Sequence, residues 1–353
     1  MLDYFSQRKQ AVNSCLQSFL ERKKQEMEKG IPWGEDVLER LKSFSANGKM
    51  VRGGLVLLAH RMYDGQAEEA ACCSAAAMEL LQSAFLIHDD IMDQDSLRRG
   101  EKTVFQQYVE TGGQKGFSEA RRFGESMATC VGDVAFFLAF ELLNDLPVDS
   151  EIRRQVAGLT LRENFKVGLG QMQDVYFGFL PGTVSEKEIL TVFRCKTATY
   201  TFILPLLAGA VLAGRRESQL NSLRQFGETM GVLFQVRDDD LGLFGESDEL
   251  GKPVGNDIRQ GKKTLYHLYL MNAGDEQEKQ RLRSIFGNPQ AELEDIEWVR
   301  QRVKAHGIQN RLQNTARELA EQACRQLAEL TFPRESCRQV LRDVIDYSLK
   351  RNK

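Results

Sequence analysis

The chain has 353 residues and a nearly balanced formal charge of −3 at pH 7. Its length allows one large domain or two of ordinary size, and a chain this long buries a sizeable core. The balance of charge argues against a strongly basic protein that binds nucleic acid, although local clusters of cations can still bind anions. We therefore expect no nucleic-acid partner.

The cysteines and the apolar stretches bear on location. The seven cysteines show neither the spacing of metal ligands nor that of a disulfide scaffold. The N-terminal residues lack the apolar core of a secretory signal. The most apolar stretch, from Ile203 to Gly214, is shorter than the about 20 residues that a membrane-spanning helix needs. These features predict a cytoplasmic protein with reduced cysteines and no membrane span.

Apolar residues recur every three to four positions in nearly every long segment, which is typical of helices. The predicted helices are 4–29, 35–45, 66–93, 118–144, 150–179, 185–213 and 217–244, and further helices follow the loop 245–261. No segment alternates polar and apolar residues as a half-buried strand does. The predicted fold is all-α, with a single domain over residues 1–353.

The first acidic cluster ends the predicted helix 66–93. Asp89 and Asp93 are four residues apart, so a helix places both carboxylates on one face, with Cβ atoms about 5–6 Å apart. The apolar residues directly upstream indicate a buried helix, in which like charges repel more strongly. A hard divalent cation relieves that repulsion, and magnesium favours carboxylates together with phosphate oxygens. For one such cluster alone, a solvated acidic helix end is the alternative.

A second acidic cluster, Asp238 to Asp240, also ends an apolar helical segment. Neither cluster has the alternating acids and central glycine of a calcium-binding loop. Cations follow each cluster: Arg98, Arg99 and Lys102 after the first, and Lys252, Lys262 and Lys263 after the second. This arrangement suits a polyphosphate that metal ions bridge to both acidic walls.

With these residues the chain resembles the trans-isoprenyl diphosphate synthases, a family that includes farnesyl and geranylgeranyl diphosphate synthases. The resemblance extends over nearly the whole chain. Its elements, in order, are Gly48-Lys49-Met50-Val51-Arg52, Glu79-Leu80-Leu81-Gln82, Asp89-Asp90-Ile91-Met92-Asp93, Arg98-Arg99-Gly100, Gly132-Asp133, Gly170-Gln171-Met172-Gln173-Asp174, Lys196-Thr197-Ala198, Phe234-Gln235 with Asp238-Asp239, and Lys252 through Asp257 to Lys262. A single Asp-Asp-x-x-Asp string is weak evidence, whereas the ordered set is specific.

The resemblance implies a single large helical bundle around a deep central cavity, and a magnesium-dependent prenyltransferase. The implied reaction is the head-to-tail condensation of isopentenyl diphosphate with an allylic diphosphate (dimethylallyl, geranyl or farnesyl), with release of diphosphate. The resemblance also implies three Mg²⁺ per site, with Mn²⁺ as an alternative, and a homodimer.

The resemblance also assigns roles to single residues. Metal binding is implied for Asp89, Asp93 and Asp238, with Asp174 and Asp239 in support. Binding of the allylic diphosphate is implied for Arg98, Lys196, Lys252 and Lys262, and a metal-free pocket for isopentenyl diphosphate for Lys49, Arg52, Gln82 and Arg99. Lys196, Thr197 and Gln235 are implied to face the developing allylic cation and, with Arg98 and Lys262, form the implied catalytic set. No histidine is well placed as a base, so the departing diphosphate is the candidate base.

Two positions of the isopentenyl pocket depart from the family's pattern. Gly53 follows Arg52 where proline is usual, and we expect this to alter only a turn. Gln82 stands where many members have histidine, and both side chains can donate to a phosphate.

The largest departure is Gly242, which stands where the second motif usually has its third aspartate. Asp240, two residues earlier, points about 200° away on a helix and cannot simply substitute. We expect the third metal to rely on Asp238, with Asp239 nearby, and activity to survive.

Product length is expected to depend on the helix wall beneath the first cluster. Gln82, Phe85, Asp89 and Asp93 are spaced 3, 4 and 4 residues apart and so form one stripe. Phe85 lies one turn below the metal, beside the small Ala84, where farnesyl-making relatives of one type have two aromatic residues. A single aromatic residue predicts a deeper pocket and geranylgeranyl diphosphate, with farnesyl or longer polyprenyl diphosphates as alternatives. In the competing interpretation Phe85 only packs in the core, and Met78 or Leu81 sets the floor.

Two other functions fit part of the pattern. A class I terpene cyclase also uses an aspartate-rich helix and magnesium, but it needs no isopentenyl pocket. A non-catalytic subunit that tunes an active partner could lose metal ligands, as at Gly242, but the retained Arg98 and Lys262 argue against it. The C-terminal residues 350–353 predict either a basic flap over the site or a frayed, solvated end.

Overall fold

The computed structural model describes residues 2–27, 32–245 and 255–351. Its α-helices are α1 (Leu2–Glu26), α2 (Pro32–Ala46), α3 (Val51–Met62), α4 (Glu68–Met92), α5 (Val104–Gln114), α6 (Ala120–Asn144), α7 (Ser150–Phe179), α8 (Glu186–Val192), α9 (Leu204–Leu212), α10 (Asn221–Phe244), α11 (Asn256–Arg259), α12 (Leu265–Ala273), α13 (Glu276–Ile285), α14 (Leu293–Ala305), α15 (Ile308–Glu329) and α16 (Ser336–Lys350). A π-helical segment, Phe193–Ile203, joins α8 to α9, and a 3₁₀ turn, Glu217–Gln219, precedes α10. A short antiparallel hairpin, β1 (Leu97–Arg98) and β2 (Glu101–Lys102), follows α4. The all-α prediction is confirmed.

Two helices, α3 and α5, escaped prediction. The first turn of α3 contains Gly53 and Gly54, and α5 contains Gly112 and Gly113. Glycine lowers the intrinsic preference for a helix by about 1 kcal/mol relative to alanine. Tertiary packing supplies the difference, because most of α3 and one face of α5 are buried.

The chain divides into two compact units. Unit 1 comprises Met1–Arg162, Leu204–Arg224 and Thr331–Val340, and unit 2 comprises Glu163–Ile203, Gln225–Leu330 and Leu341–Lys353. Each unit is therefore built from segments that are distant in sequence. The prediction of a single domain over residues 1–353 stays a prediction.

Helix α4 is the central helix of unit 1 and packs against α1, α3, α6 and α9. Its alanine-rich middle, Ala75 to Ala77, is fully buried. Helices also approach closely elsewhere in this unit: a Cβ added to Gly209 of α9 would overlap the carbonyl oxygen of Val56 in α3. Tight packing on several sides holds α4 in place, and its C-terminal end carries the first acidic cluster.

Among the residues that the structure describes, three helical stretches are long and apolar enough to cross a membrane, judged by length and composition alone: Glu68–Met92, Ala120–Asn144 and Glu186–Leu212. The prediction of no membrane span rests on the stretch from Ile203 to Gly214 alone and does not cover these longer helices. In the first and third, 72% and 83% of the most apolar window is buried inside the protein, so protein neighbours account for their apolar character. In the second, 44% is buried.

The π-helical segment carries Lys196, Thr197 and Ala198 in unit 2. π-Helical geometry is rare and often marks a functional site. Two glycines let neighbouring helices approach its backbone. A Cβ on Gly170 of α7 would lie 2.9 Å from the Lys196 nitrogen, and one on Gly231 of α10 would overlap the Cα and Cβ atoms of Ala198. These glycines therefore fix where Lys196 and Thr197 lie.

We predict that Gly231→Ala destabilises the protein, because the added methyl group has to displace the backbone at Ala198. Overpacking of this kind costs about 1–3 kcal/mol, and thermal denaturation would measure it as a lower Tm. The matched control is Gly113→Ala on α5, where a Cβ meets no atom within 4 Å among the described residues outside the backbone of its own helix, so its Tm should stay level or rise. An unchanged Tm for Gly231→Ala would contradict the packing described here.

Candidate active site

The first acidic cluster lies at the C-terminal end of α4. Asp89 is in the last turn, and Asp93 follows the last helical residue, with its N–H donating to the Asp89 carbonyl oxygen at 2.8 Å. The two residues are therefore one helical turn apart, as their spacing predicted. The Asp89 side chain is only 18% exposed, so water screens its charge poorly.

Asp90, between these two acids, has a different environment. It is fully buried, and its Oδ1 accepts a hydrogen bond from Nε of Arg98 at 2.6 Å. The Arg98 guanidinium also lies 3.9 Å from Asp89 and 3.8 Å from Asp95. Burial acts to lower the pKa of Arg98, but the three carboxylates raise it overall. Arg98 thus partly neutralises the acidic end of α4. Asp90 is its hydrogen-bond acceptor, a role that the sequence analysis missed.

The β1–β2 hairpin positions Arg98 and Arg99. Its turn is Arg99-Gly100, and both residues have positive φ angles, 55° and 79°. Two-residue hairpin turns require this left-handed backbone, which glycine adopts easily and arginine does not. Arg98-Arg99-Gly100 therefore forms the hairpin turn and the strand residue before it, and this turn places Arg98 beside the acids of α4.

Arg52 and Arg99 gather around a buried acid, Glu79 of α4. Glu79 accepts a hydrogen bond from the Gly53 N–H at 2.8 Å, and burial raises its pKa against the influence of Gly53, Arg52 and Arg99. The pKa of Arg99 is lowered, by burial first and then by the charges of Arg98 and Arg52. Arg98 and Arg52 thus both lie close enough to Arg99 to repel its charge, and a group of cations of this kind favours the binding of an anion.

The expectation that Gly53 alters only a turn is too narrow. Gly53 lies within α3, and its N–H is the donor to Glu79. A Cβ at this position would lie 3.0 Å from Val12 and 3.2 Å from the Ala75 carbonyl oxygen. Proline would both remove the donor and crowd these neighbours.

A cavity of about 390 Å³ in unit 1 adjoins the basic residues. Its lining includes Arg98 and Arg99 together with Lys102, the third cation after the first cluster. Arg40 and Asn47, which the sequence analysis did not name, also line it. The structure also describes Lys49, Arg52 and Gln82, but these three residues do not line the cavity. The structure thus brings only Arg99 of the predicted isopentenyl set into this cavity.

The stripe on α4 continues below Asp89 to the half-buried Phe85. The Phe85 ring meets the ring of Phe136 on α6 edge to face, with centroids 5.0 Å apart. Ala84 is fully buried, and Gln82 is partly exposed on the same side as Phe85. Phe85 is therefore one member of an aromatic pair that joins α4 to α6. No local pattern in the sequence links Phe136 to Phe85.

His88 has a structural role. Its Nε2 lies 3.2 Å from the Thr129 carbonyl oxygen and 3.3 Å from Asp133 on α6. A Cβ on Gly132 would overlap the His88 ring. The Gly132-Asp133 element is therefore the docking point for His88, which leaves this histidine engaged away from Asp89.

A chain of hydrogen bonds joins the π-helical segment to the second acidic cluster in unit 2. The Thr197 hydroxyl donates to Oε1 of Gln235 at 2.6 Å, and Nε2 of Gln235 donates to Oδ1 of Asp239 at 2.7 Å. Three predicted site residues are thus directly connected. The chain orients the Gln235 amide and holds one oxygen of Asp239.

The ionised form of Asp239 is disfavoured by its surroundings. It is 7% exposed, and its Oδ2 has no hydrogen-bond partner among the residues that the structure describes. Burial raises its pKa well above the usual value, followed by repulsion from Asp257, Asp238 and Asp174 against the hydrogen bond of Gln235. Asp238, in contrast, is 55% exposed. The two adjacent acids therefore present one accessible and one buried carboxylate.

Asp240 belongs to a separate contact set. Its oxygens accept hydrogen bonds from the Tyr266 hydroxyl at 2.7 Å and from Arg237. A carboxylate held by two donors in the core is structural, which agrees with the predicted orientation of Asp240 away from the other acids.

The remaining predicted residues of unit 2 form two ion pairs. Nζ of Lys196 lies 2.8 Å from Oδ2 of Asp174, and Nζ of Lys262 lies 3.8 Å from Oδ1 of Asp257. Asp257, which entered the sequence analysis only as part of a motif, is therefore next to predicted site residues. Lys252 lies outside the described residues.

The C-terminal Arg351 binds Asp238. Its guanidinium forms an ion pair with Oδ1 of Asp238 and stacks on the Phe234 ring at 3.7 Å. Arg351 is only 8% exposed. The solvated-end alternative is therefore wrong for Arg351, whereas Asn352 and Lys353 lie outside the described residues.

The acids do not form a closed metal cage. Within residues 2–27, 32–245 and 255–351, no group of three or more His, Cys, Asp and Glu side chains is arranged to hold a metal ion. Asp89 and Asp93 belong to unit 1, whereas Asp174, Asp238 and Asp239 belong to unit 2. Open carboxylate sets of this kind suit magnesium, which usually keeps several waters and binds through one or two carboxylates plus substrate phosphates.

Several known proteins are similar to this chain over most of its length. A geranylgeranyl diphosphate synthase from Saccharolobus solfataricus is 31% identical over 318 residues, 88% of each chain. Component 2 of the heptaprenyl diphosphate synthase of Geobacillus stearothermophilus is 30% identical over 348 residues, 97% of this chain and 98% of that protein. The crystal structure of a geranylgeranyl pyrophosphate synthase from Corynebacterium glutamicum, complexed with isoprenyl diphosphate and magnesium, has a TM-score of 0.91 and 28% identity, and the match covers 99% of each chain.

The family comparison agrees with these relatives. The model of the polyprenyl synthetase family matches residues 34–303, which include both acidic clusters and the basic residues around Glu79. The chain therefore belongs to the polyprenyl synthetase family.

Proposed function

We propose that the protein condenses isopentenyl diphosphate head to tail with an allylic diphosphate and releases diphosphate. The observation that carries this proposal is that unit 1 contains both an acidic helix end and a group of cations. The acids at the end of α4 and the cations Arg52, Arg98 and Arg99 occupy the same unit, and Arg98 bonds directly to Asp90. A metal-binding acidic end beside a separate basic anion site fits two diphosphate substrates, whereas a terpene cyclase binds only one.

Magnesium is the cofactor that fits these residues. Asp89 and Asp93 are one turn apart, and Asp239 has a buried oxygen without a hydrogen-bond partner among the described residues, which calls for a cation or a proton. Bound magnesium would supply positive charge that stabilises the leaving diphosphate. We propose three Mg²⁺ per site, held by Asp89, Asp93 and Asp238 with Asp174 and Asp239 in support, and Mn²⁺ as a functional substitute.

The protein's own cations would share the charge of the diphosphates. We propose that Arg98 and Lys262 bind the allylic diphosphate, with Lys196 and Lys252 in support. Isopentenyl diphosphate would be bound by Lys49, Arg52, Gln82 and Arg99. One unit charge about 4 Å from another is worth roughly 4 kcal/mol at an effective dielectric constant near 20. Several such cations therefore stabilise the transition state by an amount of catalytic size before the cost of desolvation is subtracted.

The developing allylic cation needs dipoles without a strong nucleophile. The Thr197 hydroxyl and the Gln235 amide, fixed in one hydrogen-bonded chain with Asp239, fit this need because preorganised dipoles do not have to reorient during the reaction. Two of the histidines are poor bases: burial lowers the pKa of His267 to about 3 and also lowers that of His60. We propose that the released diphosphate takes the proton.

We propose geranylgeranyl diphosphate as the main product, with farnesyl or longer polyprenyl diphosphates as alternatives. The half-buried Phe85 below the first cluster supports a limit to chain growth at this level. The relatives bear names of different chain lengths, from geranylgeranyl to heptaprenyl, so family membership alone does not fix the length. The cytoplasmic location is part of the proposal. It is supported by the seven cysteines, none of which forms a disulfide bond, since disulfides are rare in cytosolic proteins.

The direct test is turnover by the purified chain alone. With Mg²⁺, isopentenyl diphosphate and each allylic primer, we expect longer prenyl diphosphates and released diphosphate, and EDTA should abolish both. Asp89→Asn should lower kcat by about 10²–10³, whereas Asp145→Asn, an exposed acid after α6, should not. Turnover of a primer without isopentenyl diphosphate would indicate a cyclase, and no turnover without a partner protein would indicate a non-catalytic subunit.

We predict that Phe85→Ala lengthens the main product, because it removes one ring of the Phe85–Phe136 pair and opens space below Asp89. Chromatographic sizing of the products after phosphatase treatment would measure the change. Phe117→Ala is the matched control, since Phe117 is an exposed ring that packs edge to face on Phe123, and it should leave the distribution unchanged. An unchanged product distribution for Phe85→Ala would show that Phe85 does not limit the length of the product.

We also propose a homodimer through one face of α7. Phe165, Leu169, Met172, Tyr176 and Phe179 are each 50–86% exposed, and their spacing of 4, 3, 4 and 3 residues places them in one stripe. Monomeric proteins rarely expose so continuous an apolar surface. A second copy of the chain offers an identical stripe, and two-fold contacts between identical patches are the commonest mode of association.

The dimer proposal predicts that Phe165→Asp together with Met172→Asp yields monomers. Analytical ultracentrifugation would measure the mass of the wild-type and variant chains. Leu293→Asp is the control, because Leu293 is an equally exposed apolar residue on α14, and it should leave the dimer intact. A monomeric wild-type chain, or a variant that still dimerises, would contradict the proposal.

A further inference from the structure

Two cysteines from distant parts of the chain lie side by side in unit 1. Cys15 is on α1 and Cys73 is on α4, 58 positions apart, and their sulfur atoms are 3.5 Å from each other. The Cys15 thiol donates a hydrogen bond to the Cys73 sulfur. Neither residue belongs to the proposed diphosphate site, and Cys15 precedes residues 34–303, which the family model matches. Membership of the family therefore does not account for the pair.

The packing of the two helices holds these sulfur atoms near each other. Helix α1 packs against α4. Val12, one turn before Cys15, is buried, and so are Ala70 and Ala77, which lie one turn to either side of Cys73. Because both cysteines lie among buried residues on helices that contact each other, packing keeps the two thiols within reach of each other.

The surroundings of the pair favour thiol chemistry. Both side chains are only partly buried, so small reagents in solution can approach them. The hydrogen bond from Cys15 lowers the pKa of Cys73, against the effects of burial and of the charge on Glu69. The same hydrogen bond raises the pKa of Cys15. Cys73 is therefore the first of the two to ionise, and the thiolate is the form that attacks a disulfide.

We propose that Cys15 and Cys73 form a thiol pair that a low-molecular-weight disulfide, such as oxidised glutathione, reversibly converts to a disulfide bond between α1 and α4. The Cys73 thiolate attacks one sulfur of the small disulfide, whose S–S bond breaks, and the first small thiol leaves with the proton that Cys73 lost. Cys15 then loses its proton and attacks the Cys73 sulfur, which forms the internal bond and releases the second small thiol with that proton. Two protein thiols are thereby oxidised by two electrons, and the small disulfide is reduced to two thiols.

Oxidation of the pair is expected to stabilise unit 1. A disulfide brings its sulfurs to about 2.0 Å, so the pair has to close by about 1.5 Å from the observed 3.5 Å, which rotation of the two side chains can supply. The closed loop contains α2 and α3. Such a cross-link restricts the unfolded chain more than the folded one, so the oxidised protein should unfold at a higher temperature. In a reducing compartment bonds of this kind are transient, which makes the reduced pair the resting state there.

Equilibration of the folded chain with oxidised glutathione tests the proposal. Cys130 and Cys324 are exposed and would form mixed disulfides of their own, so both are replaced by serine in every sample. We expect the intact mass to fall by two hydrogen atoms, and peptide mapping to identify two peptides joined through Cys15 and Cys73. The Tm should rise by several degrees, and dithiothreitol should reverse each of these changes.

Single substitutions separate the roles of the two thiols. Cys15→Ser should stop at a mixed disulfide between glutathione and Cys73, because no second thiol is there to displace the glutathione. Cys73→Ser should form no cross-link to α4. The matched control is Cys72→Ser, since Cys72 is the adjacent, also partly buried thiol on α4, and the bond between Cys15 and Cys73 should still form in it.

Two results would overturn the inference. One is a chain in which Cys15 and Cys73 both remain free to react with an alkylating reagent after equilibration with millimolar oxidised glutathione. The other is a cross-link that runs through Cys72 instead. An oxidised chain whose Tm is unchanged or lower would contradict the expected stabilisation. These results are independent of the condensation reaction, because no step of the oxidation involves a diphosphate or a metal ion.

Discussion

Repulsion between carboxylates held in poorly hydrated surroundings is the constraint on which the site depends. Folding places Asp89, Asp90 and Asp93 on one helix end and Asp239 in the interior beside Asp238. Burial and like charge both disfavour the ionised form of such acids. The protein offsets part of this cost with its own cations, Arg98 at the first cluster and Arg351 at the second. Divalent metal would offset the remainder.

The internal cations differ in how readily a metal can replace them. Arg98 donates a hydrogen bond to the fully buried Asp90 and lies farther, at 3.9 Å, from Asp89. Arg351 pairs directly with Asp238, the more exposed acid of the second cluster. The proposed magnesium ion at Asp238 would therefore have to compete with Arg351 for this carboxylate.

The sequence predicts the fold class and the main elements well because helical periodicity is a local property. It also places Asp89 and Asp93 on one turn, since that follows from spacing alone. It misses α3 and α5, whose glycines weaken the local signal while tertiary burial stabilises them. The long helix α7, by contrast, was predicted with both of its observed ends.

Contacts between distant segments explain what the sequence could not reveal. Phe136 meets Phe85, Asp257 reaches Gly242, and Arg351 binds Asp238 across gaps of many residues. The π-helical geometry at Thr197 is another example, because it depends on close approach by Gly170 and Gly231 rather than on local preference. The motif elements indicated which residues mattered, and only the structure shows that Gly53 is a hydrogen-bond donor to Glu79.

Anomalous X-ray scattering from a crystal that contains Mn²⁺ and an unreactive allylic thiolodiphosphate would locate the divalent ions relative to both acidic clusters. We predict manganese peaks beside Asp89 and Asp93 and a further peak beside Asp238, with Arg351 displaced from that carboxylate. Manganese bound away from these aspartates, or a diphosphate group held without metal, would contradict it.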